Sequence, residues 1–160
     1  MKKVIAIELL FLLLLAALLF LLLSEPELRD VPLSEIEEEF LLREDASDME
    51  KYGAMRLRRN FSLDETDFSE VVYYGQSDTM SVNVFLLIKL QDASQREAVK
   101  RAFDAYLSQQ IQNFEGYGEH QTELLKKAET YESDLYMGLF ISEAPKEWMS
   151  LLSSGAEAKK

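Results

Sequence analysis

Residues 4–23 read VIAIELLFLLLLAALLFLLL, and no other stretch restricts the possible folds so strongly. Only Glu8 interrupts the run. At about 1.5 Å rise per residue it makes a helix of roughly 30 Å, the thickness of a bilayer core. Lys2 and Lys3 precede it, whereas Glu25, Glu27 and Asp30 follow it. The basic flank is expected to stay in the cytoplasm and the acidic flank to cross. The pattern predicts an uncleaved transmembrane signal-anchor over residues 1–23. The result is a single-pass cell-membrane protein with its N-terminus inside and its C-terminal domain outside. A cleaved secretory signal needs a shorter apolar region and a small residue at its exit; here the exit is LFLLLSEPE, with Leu22 at that place. Cleavage near Ser24 and a buried core helix are the alternatives. Glu8 is expected to reach the cytoplasmic headgroup region, the alternative being a contact with a partner helix.

Pro26 and Pro32 mark residues 24–33 as a juxtamembrane linker, and residues 153–160 read as a flexible tail. Between them, residues 34–152 have the length of a single extracytoplasmic domain. The chain holds 29 acidic against 17 basic residues, a net charge of −12. Such a field repels nucleic acid and anionic headgroups, so no nucleic-acid partner is expected. The absence of cysteine removes disulfides, thiolate–metal sites, thiol nucleophiles and the lipid attachment of a lipoprotein.

Hydrophobic periodicity within 34–152 alternates between helical and strand patterns. Ser34 and Glu37 have capping-box spacing ahead of a helix whose stripe is Ile36, Phe40 and Leu41. A short helix is expected from Met49 to Arg58. The cluster Arg56, Arg58, Arg59 is the one basic concentration of the acidic domain; internal charge balancing is the expected role, with a phosphate or acidic partner as the alternative. Strands are expected at Ser69–Tyr74 and Val82–Leu90. In the second, Val82, Val84, Leu86, Ile88 and Leu90 share one face. Asn83, Phe85, Leu87 and Lys89 share the other, a mixed pattern that predicts only partial cover there. Ser94 with Glu97 suggests a capping box for a long helix from Gln95 to about Phe114, striped by Val99, Ala102, Phe103, Tyr106, Ile111 and Phe114. A shorter helix over about Glu119–Ala128, strands at Glu129–Glu132 and Leu135–Ser142, and a helix starting at Pro145 complete the order. The fold class expected is α+β: an N-terminal transmembrane helix, then a small, mainly antiparallel sheet of about four strands packed against helices.

No catalytic motif assembles. His120 is the only histidine, and His120-Gln-Thr-Glu-Leu does not match HExxH. No G-x-S-x-G elbow or phosphate-binding GxxxxGK[ST] loop occurs, and Asp64 with Asp67 lacks an EF-hand frame. No metal, no cofactor and no catalytic residues are therefore predicted. The most distinctive segment is Phe114-Glu115-Gly116-Tyr117-Gly118, which ends the longest helix. Phe114 and Gly116 are expected to be structural, the ring buried and the glycine allowing the chain to reverse. Glu115, Tyr117, Gly118 and His120 form a candidate binding loop, with Tyr117 as a flat contact and Glu115 as a polar clamp. The alternative is a loop in which Tyr117 only covers the core.

Residues 61–142 resemble the bacterial family called domain of unknown function 4358. The resemblance rests on Val71-Val72-Tyr73-Tyr74, a strand ending Ile88-Lys89 and followed by Asp92, and a helix bearing Val99 and Ala102 with Gln109 or Gln110. It continues through Phe114-Glu115-Gly116-Tyr117, then Gln121, Leu124, Leu125 and a strand beginning near Tyr136. The chain departs from the family in lacking a lipid-attaching cysteine, and in having Asp134-Leu135-Tyr136 where Gly-Asn-Tyr is usual. The resemblance implies a shared fold and a place in the bacterial cell envelope, where members are often lipoproteins, and supplies no activity.

The functional expectation is thus a membrane-anchored envelope protein that is not an enzyme and binds an unidentified envelope protein or wall component. The alternatives are an accessory subunit of a membrane complex and a carboxylate-dependent membrane-bound hydrolase.

Overall fold

The computed structural model describes residues 13–15 and 31–157, with side chains placed through residue 152. Among the described residues from Val31 onward, five α-helices and five strands follow one another: α1 (Leu33–Leu41), β1 (Glu50–Lys51), α2 (Ala54–Phe61), β2 (Glu70–Gly75), β3 (Val84–Lys89), α3 (Arg96–Phe114), α4 (Glu119–Lys126), β4 (Glu129–Glu132), β5 (Tyr136–Ile141) and α5 (Pro145–Glu157). The sheet has the order β1-β2-β3-β5-β4. Every pairing is antiparallel, with Val72 opposite Leu87 and Leu86 opposite Leu139 at its centre.

Alternation along β3 decides the layering, because successive side chains leave a strand on opposite faces. Val84, Leu86 and Ile88 point into one core with Leu57 and Phe61 of α2, Val99, Phe103, Tyr106 and Phe114 of α3, and Leu124 and Leu125 of α4. Phe85 and Leu87 point into a second core with Ile36 and Phe40 of α1 and Trp148 and Leu152 of α5. The expectation of a partly covered second face is corrected: Phe85 and Leu87 are both 0% exposed. Phe40 stacks on Phe85 at 3.9 Å and meets Trp148 edge-on at 5.3 Å. The architecture is therefore three layers, with helices on both faces of the sheet.

Polar contacts hold the second layer in place. Tyr136 Oη both accepts from the Val31 amide and donates to its carbonyl, each at 2.9 Å. Tyr74 Oη donates to Glu37 Oε1 at 2.6 Å, and Lys51 pairs with the same carboxylate. Trp148 Nε1 donates to Asp45, whose carboxylate also takes both Nε and Nη2 of Arg43.

Four local expectations are corrected. The sheet has five strands rather than four, because Met49–Arg58 is not one helix: Glu50 and Lys51 pair with Gly75 and Tyr74, the chain turns at Gly53, and the helix starts at Ala54. The Ser34–Glu37 box does not form. Helix α1 begins two residues earlier, with Pro32 in place of Ser34 at its N-cap, and its Leu33 amide donates to Glu70 Oε2 of β2 at 2.9 Å, a distant carboxylate satisfying an end that local side chains leave open. Asp92 and Gln95 form a reciprocal box on the 3-10 turn Ala93–Gln95 that leads into α3, in place of the expected Ser94 and Glu97, and α3 itself has no side-chain cap. Helix α5 continues to Glu157, past Ser153.

The membrane reading is corrected as well. Among the described residues no helix is long and apolar enough to cross a membrane. Of the expected span only Leu13–Leu15 are described, as helical and exposed; the rest of residues 4–23 with Glu8, residues 24–30 of the expected linker, and residues 158–160 lie outside the described residues. The fold is accordingly α+β without a described transmembrane helix. The signal-anchor, the membrane as partner, the single-pass orientation and the membrane-anchored envelope function are withdrawn with that helix.

Candidate functional site

Helix α3 carries its apolar stripe to Phe114, which is 6% exposed. The chain then reverses in a short turn closed by bonds from the Glu115 amide to the Ile111 carbonyl and from the Gly118 amide to the Phe114 carbonyl, both 2.9 Å. Gly116 sits at φ +93°, a conformation costly for a residue with a Cβ. A Cβ on Gly118 would lie 2.6 Å from Phe114 Cδ1, so this glycine is required by close approach instead. The two glycines leave Tyr117 at the apex, 68% exposed, its ring 5.8 Å from Phe114. Glu115 is exposed beside it.

His120 opens α4 and pairs through Nε2 with Glu143 Oε1 at 3.0 Å, both side chains open to solvent. Neither a hydrogen bond nor a ring contact joins His120 to Tyr117 among the described residues. The structure thus gathers Phe114, Glu115, Gly116, Tyr117 and Gly118 on one turn, and directs His120 toward the connection between β5 and α5.

The carboxylates are dispersed. Glu37 pairs with Lys51, Glu70 with Lys89, Glu132 with Arg96 and Lys100, and Glu129 with Lys146. For Glu37, burial works against ionisation, but the bonds from Lys51 and Tyr74 outweigh it and hold the carboxyl below its ordinary range. Asp45 is held low chiefly by Arg43, against burial, with Trp148 assisting. These are shifts of structural ion pairs. Among the described residues no group of three or more His, Cys, Asp or Glu side chains is placed to hold a metal ion.

A second surface was only half legible in the sequence. Arg56, Arg58 and Arg59 all lie on the exposed side of α2, whose buried side is Leu57 and Phe61. Arg58 pairs with Asp64, and Arg56 lies 4.6 Å over the Tyr52 ring. Arg56 and Arg59 have no ion pair among the described residues. Ala54, Met55, Arg58 and Arg59 border an open depression of about 370 Å³. On the other side of Gly53, Lys51, Tyr52, Leu57, Glu65, Val71 and Tyr73 line a cleft of about 300 Å³ between β1 and α2. Burial pushes the Tyr73 phenol up to about 12, and Asn60 Nδ2 donates to its oxygen at 2.8 Å. The arginine spacing was visible as a cluster. The cleft was not, because it depends on a strand of two residues that has no periodicity to read.

Residues 43–142 match the family model described as domain of unknown function (DUF4358). The chain belongs to this family. The DUF4358 match starts at Arg43, ahead of the Phe61 at which the resemblance began, and takes in the whole sheet with α2, α3 and α4. Helices α1 and α5, which cover the second face, lie outside the matched range. No curated protein and no solved structure matches the chain.

Proposed function

We propose that this DUF4358 domain is a non-catalytic recognition domain that binds a macromolecular partner through the turn at Glu115–Gly118. One observation carries the reading: Tyr117 is 68% exposed at the tip of a turn whose base, Phe114, is packed in the core. A rigid aromatic side chain gives large contact area at small entropic cost, which makes tyrosine a frequent anchor of interfaces. Glu115 supplies a polar group beside it. The dispersal of carboxylates into structural ion pairs, and the exposed position of the His120–Glu143 pair, support binding over acid–base chemistry, which needs a base and its target converging in one site.

Photo-crosslinking from position 117 in cells, with Asp104 on exposed α3 surface as the control position, tests this reading. A discrete adduct is expected from 117 alone. Tyr117→Ala should abolish partner recovery while thermal unfolding stays within a few degrees, whereas Phe114→Ala should destabilise by about 3–5 kcal/mol. Loss of stability and recovery together in Tyr117→Ala would make the turn purely structural, and turnover of a defined substrate by the purified domain would refute the non-catalytic assignment.

A further inference from the structure

We infer that the exposed face of α2, with the depression beside it, docks an acidic peptide segment that carries one apolar side chain. Charge is the first ground. In a chain of net charge −12, α2 places three arginines on eight residues and has no acidic residue in its first turn. Only Arg58 is neutralised by an acidic neighbour, Asp64; Arg56 and Arg59 have no ion pair among the described residues. Internal balancing therefore accounts for one arginine of the cluster. An acidic segment is repelled by the surrounding acidic surface and attracted here, which fixes where and in what register it lands.

The second ground is apolar. Met55, 85% exposed, stands among these arginines at the edge of the 370 Å³ depression. A flexible thioether beside a hollow adapts to a partner's aliphatic side chain, as methionines of adaptable binding surfaces do. Guanidinium groups favour carboxylates through paired N–H donors, so Arg56 and Arg59 select carboxylate side chains flanking the apolar anchor. Nucleic acid also presents anions, but a chain with so large a negative excess repels a polyanion along its whole length. A short acidic peptide meets that repulsion only at its ends.

Fluorescence anisotropy on the intact chain tests the inference. The probes are a labelled peptide of aspartate and glutamate around a central leucine, the same peptide with alanine at the centre, a lysine counterpart, and a single-stranded oligonucleotide. Saturable binding of the acidic leucine peptide is expected, weakened at higher salt. The double variant Arg56→Glu/Arg59→Glu should weaken it at least about ten-fold, and Arg56→Gln/Arg59→Gln by less. Met55→Ser should weaken the leucine peptide and leave the alanine peptide unchanged. Unfolding curves for each variant separate lost docking from lost fold. Absence of saturable binding, binding indifferent to the arginine variants in folded protein, or equal binding of the oligonucleotide would overturn the proposal. Because Tyr117 is untouched in all of these variants, the outcome is independent of the turn at Glu115–Gly118.

Discussion

Phe40→Ala is the sharpest test of the second helical layer. Phe40 is 0% exposed and touches three aromatic rings: Phe85 stacked at 3.9 Å, Trp148 edge-on at 5.3 Å, and Tyr74 tilted at 5.4 Å. Removing a buried phenylalanine side chain costs about 3–5 kcal/mol, the value rising with the cavity that remains. Collapse of this cavity is resisted from all sides. Phe85 is fixed in the central strand, Tyr74 is held by Glu37, and Trp148 is held by Asp45. The cost should therefore fall in the upper half of that range, about 4–5 kcal/mol, a large fraction of the roughly 5–15 kcal/mol that holds a domain together. Urea unfolding followed by fluorescence reads it directly, because Trp148 is the chain's single tryptophan and adjoins the deleted ring. Leu42→Ala, at a site 87% exposed, is the control and should stay within about 0.5 kcal/mol. A loss below about 1.5 kcal/mol in Phe40→Ala, with unchanged m-value and unchanged Trp148 emission, would refute the sealed second core.

Further outcomes follow from the turn and from the ion pairs. Gly116→Ala should destabilise by about 1 kcal/mol or more through its positive φ, and Gly118→Ala should displace the Phe114 ring, a change visible in Phe114 NMR shifts. Asp45 is depressed below its ordinary 3.8, so its contribution to stability is present above about that pH and is lost as pH falls through the lower folded value. Trp148→Phe removes one of the bonds holding it low, and should flatten the acid limb of a stability–pH curve measured by urea unfolding.

The family membership and the α+β class were legible in the residues because both rest on local order. Alternation in Val84–Lys89 sorts its side chains between two faces whatever lies beyond them, and the stripe from Val99 to Phe114 needs only helical geometry. The reversal after Phe114 was likewise readable, since Gly116 and Gly118 relieve steric limits that act within a few bonds. Tertiary structure decided the rest. A periodic pattern says that a face is apolar and is silent on what covers it: α1 and α5, far apart in sequence, close over Phe85 and Leu87 only because Phe40 and Trp148 meet there. Strand β1 is two residues long and exists through its pairing with Tyr74 and Gly75, so local periodicity points to a helix there instead. The start of α1 is not legible locally because the partner of its Leu33 amide is Glu70, a carboxylate on β2 rather than a neighbour in the chain.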